Sequence, residues 1–223
     1  MDKQFIFLQV FFGLTTLLSL VLFIRASAGY KKWLWIVLGL WVLVQGLLSY
    51  NGFYLNNMTM PPRFALLLAP PLAAILLTVL TRGGRRFIDQ LNPAALTLMH
   101  TVRVPVEFTL LWLCMFGLVP EVMTFEGRNF DIISGLTAPL MAWLIYKQKA
   151  SKGLLMAWNL VCLGLVLNVV IHGLLSAPSP FTQLFFEVPN TGVLMFPFTW
   201  LPGLIVPLVL FSHVACLIKL FRK

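Results

Sequence analysis

Residues 92–120 read NPAALTLMHTVRVPVEFTLLWLCMFGLVP. The run is long and apolar enough to cross a bilayer, for which a helix needs about 20 residues. Yet His100, Arg103 and Glu107 interrupt it. On a helix turning about 100° per residue these three fall within about 60° of one another, and Thr97 and Cys114 extend the same stripe. A charge at the bilayer centre costs roughly 3 kcal/mol on insertion scales. The stripe is therefore expected to face protein or water rather than lipid, and this segment is where the chemistry of the chain is expected.

The rest of the chain agrees with a membrane setting. Of its 223 residues 60% are hydrophobic and 10% charged, against roughly 25% charged in soluble domains; the mean hydropathy is +0.92. No polar stretch is long enough to bury a second core, so residues 1–223 read as a single transmembrane domain. The formal charge of +9 does not point to nucleic acid, because the basic residues fall in short groups between apolar runs. The expected partners are the lipid bilayer and a small-molecule or ion ligand. Cys114, Cys162 and Cys216 are odd in number and form no CxxC, which gives neither a disulfide framework nor a zinc knuckle.

Seven apolar runs place spans near 4–25, 33–53, 63–81, 94–119, 130–147, 153–176 and 198–219, an all-α bundle of seven transmembrane helices. Four groups of three cations lie at one set of ends: Arg25, Lys31 and Lys32; Arg82, Arg85 and Arg86; Lys147, Lys149 and Lys152; Lys219, Arg222 and Lys223. The other connections hold Arg63 and Arg128 beside Glu121, Glu126, Asp131 and Glu187. The positive-inside rule then puts the N-terminus outside and the C-terminus in the cytoplasm, and the expected location is the bacterial inner membrane. The sequence Ala26-Ser27-Ala28 imitates a cleavage site, but the apolar stretch before it is longer than the usual 7–15 residues of a signal peptide. The first span reads as an uncleaved helix.

Prolines mark the expected hinges. Pro70 and Pro71 sit mid-span, and each removes an N–H donor, so a kink or break is expected there. Pro105 in the fourth span and Pro207 in the seventh are further hinge candidates. Pro93 suits the first turn of the fourth span, with Asn92 as its cap. Gly83-Gly84 allows a turn out of the third span, and the segment RRFIDQLN that follows it is expected to lie along the membrane surface.

Depth, at about 1.5 Å per residue, sorts the polar groups. His100 and His213 lie at one depth near the basic ends and form an inner histidine pair. Arg103 and Glu107 are four apart, a spacing that permits an ion pair, and they point toward Gln45, Asn168 and an outer mouth guarded by His172. Asn168 and His172 share one face of the sixth span, while Asn159 takes the opposite face. Glu126 and Asp131 belong to an acidic outer mouth, and Phe181, Phe185 and Phe186 suit an interfacial anchor.

Three function classes compete. The leading one is a small transporter or receptor-like binder with a His/Arg/Glu pocket, proton-coupled through Glu107. The second is an intramembrane enzyme or carrier in which His100 and His213 hold a metal or haem; the spacing commits no metal and no cofactor. The third is a membrane scaffold without catalysis. Retinal chemistry is excluded, because the lysine of the last span, Lys219, stands at its end rather than its middle.

Overall fold

The computed structural model describes residues 3–27, 29–184 and 187–222, and among them every regular element is helical. In chain order these are α1 (Lys3–Ala26), α2 (Lys31–Tyr50), α3 (Ala65–Leu80), α4 (Arg82–Gln90), α5 (Pro93–Met99), α6 (Arg103–Met115), α7 (Ile132–Tyr146), α8 (Lys152–Ser176) and α9 (Val206–Arg222). A 3₁₀ turn, His100–Val102, joins α5 to α6, and a π-helical turn, Leu201–Ile205, leads into α9. Five stretches are long and apolar enough to cross a membrane: α1, α2, α5 with α6, α8, and Leu201–Arg222. The pair α3 and α4 makes a sixth if taken as one broken span. Each of the seven expected segments contains a helix, with ends that agree to about one helical turn.

The break in the third segment is not at Pro70-Pro71, where it was expected. Helix α3 runs through both prolines and ends at Thr81, beyond which α4 turns away by 91°. Local chemistry moves the break. Thr81 is extended, its hydroxyl accepts the Gly84 N–H at 3.1 Å as an N-cap, and a side chain at Gly84 would meet the Thr78 carbonyl oxygen at 2.1 Å. Only glycine allows so tight a turn. Arg82, Arg85 and Arg86 of α4 are exposed.

The basic ends of the helices are clasped together. Asn92 caps α5 as its sequence promised, its Oδ1 accepting from Ala95 N at 3.1 Å. The Asn92 N–H in turn reaches the Ala26 carbonyl at 2.8 Å. Lys219 Nζ donates to the carbonyls of Ile88, Asp89 and Leu91 at 3.2, 2.8 and 2.7 Å. These carbonyls stand at and just beyond the C-terminus of α4, where a cation is favoured. At the opposite end Gly192 N donates to the Leu118 carbonyl at 2.8 Å.

Pro207 acts through the bond it cannot make. Lacking an N–H, it cannot bond the Gly203 carbonyl one turn back, and the Trp41 indole of α2 donates to that oxygen at 2.7 Å. The Trp200 indole returns a bond to the Val42 carbonyl at 3.0 Å. Apart from these tethers α2 is lightly held: Gln45, Gly46 and Ser49 are its buried residues. The dense core lies instead between α1, α5, α6 and α9, where Phe12, Leu96, Val102 and Leu110 are wholly enclosed.

Helix α7 has 15 residues, about 22 Å, less than the roughly 30 Å hydrocarbon thickness. Its register explains this. Gly135 lies so close to α6 that a Cβ there would meet Val104 N at 2.9 Å. Asp131, at the head of α7, is thus only about 6 Å further along, well inside the end of α6 at Met115. The connection 116–131 folds back into the bundle to reach it, burying Met123, Thr124 and Asn129 on the way.

Candidate functional site

The fourth segment delivers its stripe into the middle of the bundle. Thr97, His100, Arg103 and Glu107 are all buried, with Arg103 at 2% exposure and Glu107 at 1%. The 3₁₀ turn His100–Val102 comes just before Pro105, whose missing N–H cannot bond the Thr101 carbonyl.

Arg103 is the hub. Its Nη1 donates to Asp131 Oδ1 at 2.9 Å and to the Cys162 carbonyl at 3.3 Å, while Nη2 lies 2.9 Å from His213 Nε2. A guanidinium only donates, so His213 Nε2 is the acceptor and carries no proton. Its Nδ1 then bears the hydrogen and donates to Asn159 Oδ1 at 2.9 Å. Asn159 Nδ2 ends the chain on the Leu155 carbonyl at 2.8 Å. Four elements, α6, the head of α7, α8 and α9, thus share one line of hydrogen bonds, Asp131–Arg103–His213–Asn159.

His100 lies against this line without joining it. Its ring stacks on His213 with centroids 4.0 Å apart and planes 21° apart, and Trp158 packs edge-on at 5.5 Å. Among the described residues no group bonds either His100 nitrogen, and Arg103 Nε and Glu107 Oε2 are likewise buried without a partner there. Such groups cost free energy when left unmade. Glu107 Oε1 accepts from Asn129 Nδ2 at 2.7 Å; Asn129 also donates to the Met123 carbonyl at 2.9 Å, and its Oδ1 accepts the Asp131 N–H at 3.0 Å.

The expected histidine pair is therefore together, but the rest of the expected pocket is regrouped. Arg103 pairs with Asp131 across the bundle rather than with Glu107 on its own helix. Asp131 belongs to the centre and not to an outer mouth, because connection 116–131 folds inward; Glu126 on the same connection stays exposed. Gln45 takes the hydroxyl hydrogen of Tyr54, which burial pushes up to about 12 and so keeps protonated. Asn168 and His172 are only half-buried. Asn168 donates to the Arg128 carbonyl at 3.1 Å, and His172 Nδ1 donates to the Asn168 carbonyl of its own helix at 2.8 Å. Phe181 is exposed; Phe185 and Phe186 lie outside the described residues.

Two partners were missed by sequence reasoning. Asn159 sits half a turn from Asn168, and that opposition was legible; the bundle lies on the Asn159 side. Asn129 carries no signal except its position two residues before Asp131 in GRNFD.

The donor set also bears on the metal and haem readings. Both nitrogens of His213 are already engaged by Arg103 and Asn159, and the two histidines meet face to face, whereas ligation needs lone pairs in the ring planes to converge. Among the described residues no three His, Cys, Asp or Glu side chains converge as a metal site. The residues present do not fit an iron or zinc centre. Comparison with known proteins adds one family: a model described as a domain of unknown function (DUF8737) matches residues 60–221, which hold α3 to α9 and every member of the polar centre. No curated protein and no solved structure matches the chain.

Proposed function

This chain belongs to the DUF8737 family, and we propose that it is a small proton-coupled transporter or receptor-like binder of the bacterial inner membrane. In this reading the chain crosses seven times, through α1, α2, α3 with α4, α5 with α6, α7, α8 and α9. The N-terminus lies outside and the C-terminus in the cytoplasm, a reading supported by the four groups of cations at one set of helix ends.

The observation that carries the proposal is the buried line Asp131–Arg103–His213–Asn159 beside two unused acceptors, His100 and Glu107 Oε2. Ionisable groups in a membrane bundle are expensive and by default functional. A proton arriving on the stacked histidines turns His213 Nε2 from an acceptor into a donor, and it can then no longer take the Arg103 hydrogen. Arg103 swings toward Glu107 Oε2, one turn along the same helix, and loosens its hold on α9. The proton thereby changes which helices are tied together, the requirement for coupling it to the opening of a pocket.

The test places spin labels at exposed positions of α6 and α9 (Phe108→Cys and Phe221→Cys, with the three native cysteines changed to serine) and reads the distance between them at pH 8 and pH 5. The distance is expected to lengthen at pH 5 with the polar centre intact, and to stay at its pH 8 value with His213→Gln or Glu107→Gln. A distance that does not move with the centre intact, or that moves equally in both variants, would remove the proposal.

A further inference from the structure

A second feature lies on the lightly packed side, away from the polar centre. Between α2, α3 and α9 runs a groove of about 570 Å³, within the roughly 300–1,000 Å³ of ligand sites. Its walls are Val37 and Trp41 of α2, Pro71 and Ala74 of α3, and Pro207 and Phe211 of α9. The polar atoms in these walls are used internally. Trp41 Nε1 bonds the Gly203 carbonyl at 2.7 Å, and Thr78 Oγ1 bonds the Ala74 carbonyl at 2.7 Å. A polar solute finds nothing to bond there.

The length and rim of the groove narrow the occupant. Along α2 it extends from Leu34 to Val44, about 15 Å. That is half of a hydrocarbon core roughly 30 Å thick, the depth of one leaflet. It begins at the basic end, where Phe87 of α4 lines it and packs edge-on against Tyr30 at 5.1 Å. Lys31 and Lys32 follow Tyr30 directly, and Arg85 and Arg86 precede Phe87; with Arg82 they are all exposed. The acid of α4, Asp89, is paired with Arg222 at 3.0 Å. An apolar slot one leaflet deep, opening sideways under a cationic rim, complements a single class of molecule.

We infer that this groove binds one acyl chain of an anionic phospholipid, whose headgroup rests on the cations of α4 and the start of α2. The site does not depend on the proton reading of the buried centre, and its test reads a different quantity.

Purified full-length protein in detergent is titrated with phosphatidylglycerol carrying brominated acyl chains, and tryptophan fluorescence is followed. Saturable quenching is expected, with an apparent affinity about tenfold above that for brominated phosphatidylcholine. Trp41→Phe should remove much of the quenched signal. Ala74→Phe, which fills the slot from α3, should abolish saturation, and Val37→Phe should do the same from α2. The triple change Arg82→Gln, Arg85→Gln and Arg86→Gln should erase the headgroup preference while quenching remains. Glycerol phosphate at millimolar concentration should not compete. Equal, non-saturating quenching by both lipids would overturn the inference. So would competition by glycerol phosphate, or a stable dimer that occludes Trp41.

Discussion

Arg103 and Trp41 both lie near the middle of long apolar segments, and both donate a hydrogen bond to the segment that ends in α9. Their surroundings differ in kind. Around Arg103 four elements close in, and the line of polar groups they share is buried. Around Trp41 one helix stands away from the rest; Val37 is 56% exposed and Leu40 59%. Burying apolar side chains against protein gains little over lipid tails in a membrane, so α2 loses little by standing off. Polar groups have no such freedom, since a bilayer offers them no partner. The polar centre therefore dictates where the bundle is tight, and apolar helices fill in around it as loosely as their tethers allow.

The largest effect that would sharpen this contrast is at the ion pair. Asp131→Leu leaves the Arg103 guanidinium buried without its counter-charge, and removing one partner of a buried pair costs about 3–5 kcal/mol. Unfolding by dodecyl sulfate in mixed micelles should show that loss. The double variant Asp131→Leu with Arg103→Met should recover much of it, because well-packed apolar replacements of buried pairs are often neutral. A single variant within experimental error of wild type would mean that water already reaches the pair or that Arg103 has turned to Glu107. Adding Glu107→Gln separates the two, since only the second then becomes unstable.

Next comes packing. Leu110 is wholly buried in α6, and Leu110→Ala should cost about 2–5 kcal/mol in the same assay. Val37→Ala, on the groove wall, should stay within about 0.5 kcal/mol. Similar losses at both positions would mean that α2 packs more closely than the groove allows.

These two regions also differ in how far the sequence discloses them. The helices were legible because each apolar run is long and bounded by cations, caps or prolines, as at Asn92-Pro93. The histidine pair was legible from depth alone, since a helix rises uniformly. The partner of Arg103 was not. Asp131 lies outside the apolar run of α7, and a linear reading sends such a residue to the surface; only the inward fold of 116–131, with Gly135 pressed on Val104, brings it back. The turn beyond Thr81 was legible in Gly83-Gly84, and only the expectation of a second break at Pro70-Pro71 misled. A proline removes one bond, which a helix can survive, whereas the close contact of Gly84 with Thr78 decides the chain direction. The tether from Trp41 to Gly203 joins residues 162 apart in sequence, and no local pattern announces it.

Glycine gives a paired test with opposite signs. At Gly135 a Cβ would stand 2.8 Å from Val104 Cγ2 and 2.9 Å from Val104 N. The backbone atom cannot yield, so Gly135→Ala should destabilise by about 1–3 kcal/mol. At Gly39 on α2 a Cβ meets nothing within 4 Å, and Gly39→Ala should stabilise by up to about 1 kcal/mol through helix propensity. Two changes of the same sign would erase the distinction between the regions.

The smallest effect concerns the tether itself. Trp41→Phe keeps the ring in the groove wall and removes the donor to the Gly203 carbonyl, to which Pro207 cannot donate. Polar contacts between membrane helices are worth about 0.6 kcal/mol on average, and a loss of that order is expected. The change should be largely absent in a Pro207→Ala background, where the backbone N–H of residue 207 can close the bond to Gly203 and the indole is no longer needed. An undiminished loss there would show that Trp41 holds α2 by its ring surface and not by its hydrogen bond. The lightly packed half would then owe its position to apolar contact, in contrast to the half built around Arg103.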